Sequence, residues 1–68
     1  MARSPISKEQ AERFKSHCLY PKSHTLTTQV AFSIIADHCW REKTIKGVLN
    51  RVLRVTNELV RIMEEVNE

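Results

Sequence analysis

One glycine, Gly47, and two prolines, Pro5 and Pro21, are all the chain contains of either residue. So little glycine excludes a phosphate-cradling Gly-rich loop and the tight turn of a nucleophile elbow, both of which need backbone where no side chain fits. Two cysteines, Cys18 and Cys39, are too few for the disulfide framework of a secreted mini-protein. Long apolar runs are missing too. The longest, VAFSIIA, is interrupted by Ser33 and falls far short of the ~20 residues of a membrane span. The opening MARSPISKEQ lacks an apolar core of signal-peptide length. Together these absences predict a soluble, cytoplasmic protein from a reducing compartment, with no membrane partner.

What is present is short and mildly basic. The 68 residues carry a formal charge of +3, and a chain of this size buries only about 60% of the surface its unfolded form exposes. Small domains commonly offset that weakness with disulfides, a metal or oligomerisation. Charge is uneven, with Arg41, Lys43, Lys46, Arg51 and Arg54 in the middle opposed there only by Glu42, whereas the end reads EEVNE. The middle would attract an acidic surface, while the tail would be repelled by phosphate.

No repeat or low-complexity segment appears, and the apolar spacing is helical throughout. After a flexible tail at 1–6, a first helix is expected over 7–20. Ser7 and Gln10 have capping-box spacing, and Ile6 with Ala11 can form a hydrophobic staple. Ala11, Phe14 and Cys18 share one face, and Pro21 ends the element by disfavouring helix at Tyr20. A polar connector, YPKSHTLT, leads to a second helix at 27–43, capped by Thr27 or Thr28. Ala31, Phe32, Ile35, Ala36 and Cys39 form its broad face, with Val30 and Ile34 on another side. Only Ser33, Asp37 and Arg41 make a narrow polar strip, so this helix needs neighbours on more than one side.

The third helix, at 44–67, has the clearest pattern. Ile45, Val52, Leu59 and Val66 recur every seven residues; Val48, Val55 and Ile62 fill the second apolar position, and Leu49 and Met63 widen the stripe. Leu53 and Val60 extend it to about 160° of the circumference. Over Ile45 to Val66 this is a rod of about 33 Å, against roughly 24 Å for the second helix. One chain cannot cover such a stripe along its whole length, and leaving it in water exposes more apolar surface than soluble monomers normally show. The expected architecture is therefore all-α: a short N-terminal helix plus a helical hairpin that dimerises into a four-helix-type core. Ile45, Val48, Leu49, Val52, Val55, Leu59, Ile62, Met63 and Val66 are expected at the interface between two copies, with shallow-angle packing.

Chemistry-bearing residues are sparse. His17, Cys18, His24, His38 and Cys39 could ligate zinc, but adjacent helical residues point about 100° apart and no C-x-x-C or H-x-x-x-H spacing occurs. Both cysteines fall on apolar faces, where a thiol packs as a small hydrophobe. The sequence thus predicts no metal, no cofactor and no enzymatic constellation. The polar face of the third helix displays Asn50, Arg51, Arg54 and Asn57, residue types that read base edges, which leaves a dimeric DNA-binding regulator as the alternative. Glu58, Glu64 and Glu65 on the same face argue for a solvated, salt-bridged surface instead.

Protein binding is the leading expectation. Trp40 sits beside Arg41 just before the bend, off the main apolar face, and tryptophan and arginine are enriched at binding hot spots. With Lys43, Lys46 and Tyr20 they make a candidate contact for an acidic protein patch; the competing possibility is that Trp40, helped by Ile45, plugs the end of the core. In size, helical-hairpin plan over about 27–66 and lack of catalytic apparatus, the chain resembles small bacteriophage proteins that disable host regulators, in outline the helical anti-quorum-sensing proteins of Pseudomonas phages. That resemblance implies a homodimer that binds a host transcription activator and a second host target. It assigns no residue a role.

Overall fold

A computed structural model describes residues 5–67, which form three α-helices: α1 (Lys8–Leu19), α2 (His24–Cys39) and α3 (Ile45–Val66). No strand occurs among the described residues. Each helix packs against the other two, so α1 docks on the hairpin. The thin dimension of the molecule is 17 Å, close to two helix layers whose axes lie about 8–10 Å apart. Each helix therefore keeps one side facing outward.

Local chemistry fixes the helix starts. At α1 the expected capping box forms: the Gln10 N–H donates to Ser7 Oγ at 3.2 Å and the Ser7 N–H to Gln10 Oε1 at 3.3 Å. Ile6, just before the cap, is buried against the core with Ala11 packed beside it. It is a core residue, not part of a flexible tail; Pro5 before it is half-buried, and positions 1–4 of that expected tail lie outside the described residues, as does residue 68.

The start of α2 differs from expectation. Ser23, not Thr27 or Thr28, is the cap, accepting from the Leu26 N–H at 3.0 Å. Thr27 and Thr28 lie inside the helix, their hydroxyls donating to the Ser23 and His24 carbonyls at 3.1 and 2.8 Å. A threonine hydroxyl can cap a helix or bond back to the preceding turn, and spacing alone does not separate the two. At the other end α2 stops at Cys39 rather than Lys43. The Glu42 N–H donates to the Cys39 carbonyl at 3.0 Å, and Thr44 turns extended to cap α3 by accepting from the Gly47 N–H at 3.0 Å. Arg41 and Lys43 thus belong to the connecting turn. A Thr44→Ala substitution should cost about 1 kcal/mol and lower the melting temperature by roughly 4–8 °C, read by thermal circular dichroism.

The core consists of Ile6, Phe14, Val30, Ile34, Val55, Leu59 and Ile62. On α2 the deeply buried side is therefore Val30/Ile34, whereas Phe32 and Ala36, placed on the broad face by the sequence, are exposed. Polar contacts set the direction of α1. Gln10 donates to Asp37 at 3.4 Å and meets His38 Nε2 at 2.9 Å, while Thr27 Oγ1 donates to the His17 carbonyl at 3.5 Å. The two helices run antiparallel. Ile6, just before α1, and Ala11 and Lys15 within it lie beside Glu58, Ile62 and Glu65 of α3, so this segment shields the C-terminal half of the rod. Its N-terminal half has only α2 for cover, which is why Ile45 and Leu49 stand 81% and 62% exposed.

Candidate interaction surfaces

Two features of the described surface stand out: the aromatic–basic corner between α2 and α3, and an uncovered apolar stripe along α3.

At the corner, Trp40 closes α2 and is 71% exposed, with the Arg41 guanidinium 5.1 Å from its ring centroid. That is cation–π range, which keeps an exposed indole and its neighbouring cation together as one platform. Trp40 does not plug the core, and neither does Ile45. Glu42 reaches over the first turn of α3 to meet Arg51 Nε at 3.0 Å. Gly47 makes room for it, since a Cβ there would come within 2.6 Å of the Glu42 carboxylate. Glu42 is thereby neutralised, and Arg41, Lys43 and Lys46, which follow Trp40 in the chain, are exposed and have no ion-pair partner among the described residues. Tyr20 does not join them. It caps the end of α1 that lies by Thr27, toward the far end of α2 and about 20 Å from Trp40 along the helix. It drops out of the corner surface because α1 runs antiparallel to α2.

The apolar stripe runs beside the buried face of α3. Val55, Leu59 and Ile62 are covered by the chain's own α1 and α2, with Val66 packed against the same cluster, so these four serve the internal core. Ile45, Leu49 and Met63 remain exposed, joined by Leu53 at 61% and Val60 at 44%. Val48 and Val52 are half-buried. Next to the stripe a groove of about 590 Å³ opens between α2 and α3, floored by Phe14, Ala31 and Leu59 and walled by Phe32, Val52 and Met63. Phe32, 64% exposed, is the residue the sequence reading missed. A helix apolar around most of its circumference gives no sign of which side its neighbours leave open.

Elsewhere the polar face of α3 is partly internal in its bonding. Arg61 holds Glu58 and Glu65 together, and its guanidinium is kept still more firmly protonated by the hydrogen bond and charge of Glu58, with a smaller contribution from Glu65. Arg51 is engaged by Glu42, while Asn50, Arg54 and Asn57 are exposed. Among the described residues no three His, Cys, Asp or Glu side chains converge where an ion could sit. His38 is bonded to Gln10, and burial pushes the Cys18 thiol up from its ordinary pKa, disfavouring the thiolate. None of the described helices is long and apolar enough to cross a membrane. No protein-family model, curated protein or solved structure matches the chain.

Proposed function

We propose that this chain is a small, non-enzymatic interaction protein that self-associates through α3 and binds a host regulatory protein, such as a transcription activator, to inhibit or modulate it. The observation that carries this reading is the corner: an exposed tryptophan braced by Arg41 and followed by exposed Lys43 and Lys46, with Glu42 engaged by Arg51 and Asp37 accepting from Gln10. Aromatic–arginine platforms of this kind supply much of the energy of protein contacts, and their positive rim suits an acidic partner patch. The resemblance to anti-quorum-sensing phage proteins in size and plan points the same way, and the reading places the protein in the cytoplasm with its regulatory target. The proposed binding role invokes no cofactor and no metal.

A Trp40→Ala chain tests the reading. It should keep its helical signal, because Trp40 contributes little to the core, yet lose about 2 kcal/mol of partner binding, roughly a thirtyfold drop in affinity. Affinity capture from host lysate with mass spectrometry supplies the readout. A protein retained by wild type and lost by Trp40→Ala supports the proposal, and equal retention by both chains ends it. Duplex DNA is the second reading, through Asn50, Arg51, Arg54 and Asn57. It is weaker because Arg51 is tied to Glu42 and the carboxylates of Glu58 and Glu65 lie along the same helix.

A further inference from the structure

We infer that a second copy of this chain covers the outward stripe of α3, with the two α3 helices antiparallel and Lys46 of each facing Glu64 of the other. The inference rests on the self-association reading above and specifies its geometry.

Area comes first. Phe32, Ile45, Leu49, Leu53, Val60 and Met63 are between 43% and 81% exposed. At roughly 170 Å² for a side chain of this size, near the low end of the aromatic range, they offer about 600 Å² of apolar surface. That lies at the upper limit of the largest patch on an ordinary monomer, about 300–600 Å², and is a large part of the ~800 Å² that each partner contributes to a standard interface.

Spacing indicates the shape of the occupant. Ile45, Leu49, Leu53, Thr56, Val60 and Met63 follow one another at intervals of four, four, three, four and three residues, the pattern that seats another long helix at a shallow angle. A second α3 matches that surface in length and in chemistry. Lying beside the groove, it would also meet Phe32 and bring two α2/α3 hairpins into one four-helix core.

Charge then chooses the direction. Lys46 and Glu64 are 18 residues apart, which is five full helical turns. They therefore project along the same flank of the stripe, at opposite ends. Both are exposed, and neither has an ion-pair partner among the described residues. In an antiparallel pair a flank faces its own counterpart, so each Lys46 meets a Glu64 about an axis level with Val55. The apolar stripe has the same centre, since Leu49 and Val60, like Ile45 and Met63, are placed nearly symmetrically about it. A parallel pair would instead set Lys46 level with Lys46 and Glu64 level with Glu64.

The helix dipole adds an independent reason. No acid lies in the first turn of α3 and no base in its last. The chain places Lys46 at the positive end and Glu64 at the negative end, each on the wrong side of its own dipole. An antiparallel neighbour reverses this, bringing Lys46 beside the C-terminus of the other helix and Glu64 beside its N-terminus.

The test is sedimentation equilibrium of the full chain as wild type, Lys46→Glu, Glu64→Lys and the double exchange. Each single change should weaken the dimer about tenfold, because two ion pairs become two repulsions. The double exchange should return the dissociation constant to within about threefold of wild type. The single variants should melt no lower than wild type under monomeric conditions, since each new charge suits its own helix dipole; loss of folding therefore does not mimic the effect. A dimer indifferent to the single changes overturns the antiparallel arrangement while leaving self-association intact. A wild-type chain that sediments as a 7.9 kDa monomer at high micromolar concentration overturns both, and assigns the stripe to a foreign helix.

Discussion

A Phe14→Ala chain is expected to be largely unfolded at 25 °C. Phe14 is 1% exposed, and it belongs to the one cluster in which α1, α2 and α3 meet. Truncating a buried phenylalanine typically costs about 3–5 kcal/mol through lost burial and the cavity left behind. A domain of this size rarely holds more than about 3–5 kcal/mol in reserve. The two quantities are equal within error, so the substitution removes nearly all the stability there is. Its effect should also be global. α1 meets the hairpin chiefly through Ile6 and Phe14, and without that anchor the inner faces of α2 and α3 are open to water. Far-UV circular dichroism and urea titration provide the check. Phe14→Leu, which keeps most of the volume, should stay folded at a cost of about 1–2 kcal/mol. A Phe14→Ala chain with a near-native transition would show that α1 is dispensable to the fold.

How much of this was legible in the sequence depends on how one-sided each helix is. α3 has a sharp division between apolar and polar sides, and its bounds and inner residues are close to those read from spacing. α1 is short, but Ser7 and Gln10 specify its start through a geometry that only those side-chain types satisfy. α2 is the element that spacing does not resolve. Apolar residues surround most of it, so its periodicity leaves the buried side open, and the choice of Val30/Ile34 over Phe32/Ala36 is made by where α1 and α3 lie. Its cap, Ser23, is chemically like Thr27 and Thr28, the two residues expected in its place. Tyr20 fails as a corner residue for a similar reason. Its exposure is consistent with a surface role, but its distance from Trp40 depends on the antiparallel course of α1, which is set by Gln10 reaching Asp37 and His38 more than twenty-five residues away. Local rules do not encode that contact.

The same logic separates the residues that hold the fold from those available for binding. Val55, Leu59 and Ile62 read as interface residues because they belong to a stripe wider than one neighbour can cover. In the folded chain they face α1 and α2, and the stripe's other margin is left in water. One apolar surface is thus divided into a buried and an exposed part along a line near Val52 and Thr56, both half-buried. Substitutions on the two sides of that line should behave differently.

The second large effect follows from that division. A chain carrying Phe32→Ser and Leu53→Asp should retain its helical signal and a cooperative melt while remaining monomeric throughout the micromolar range. Phe32 is 64% exposed and Leu53 61%, so neither contributes much burial within its own chain, and both replacements can be solvated there. In a two-fold dimer each residue is present twice. Full burial of such a side chain is worth about 1.5–3 kcal/mol relative to leaving it exposed, and an aspartate at Leu53 must also be desolvated on association. Even at half the nominal value, four lost contacts weaken association at least a hundredfold. Sedimentation equilibrium beside circular dichroism distinguishes the possible results. Retained helix with lost association is the expected outcome. Lost helix would place Phe32 and Leu53 in the chain's own core, and unchanged association would move the interface away from α3. Phe14 and Leu53 would then form a pair of contrasting probes: truncating the first removes the fold, whereas charging the second, with Phe32 replaced, removes only the contact between copies.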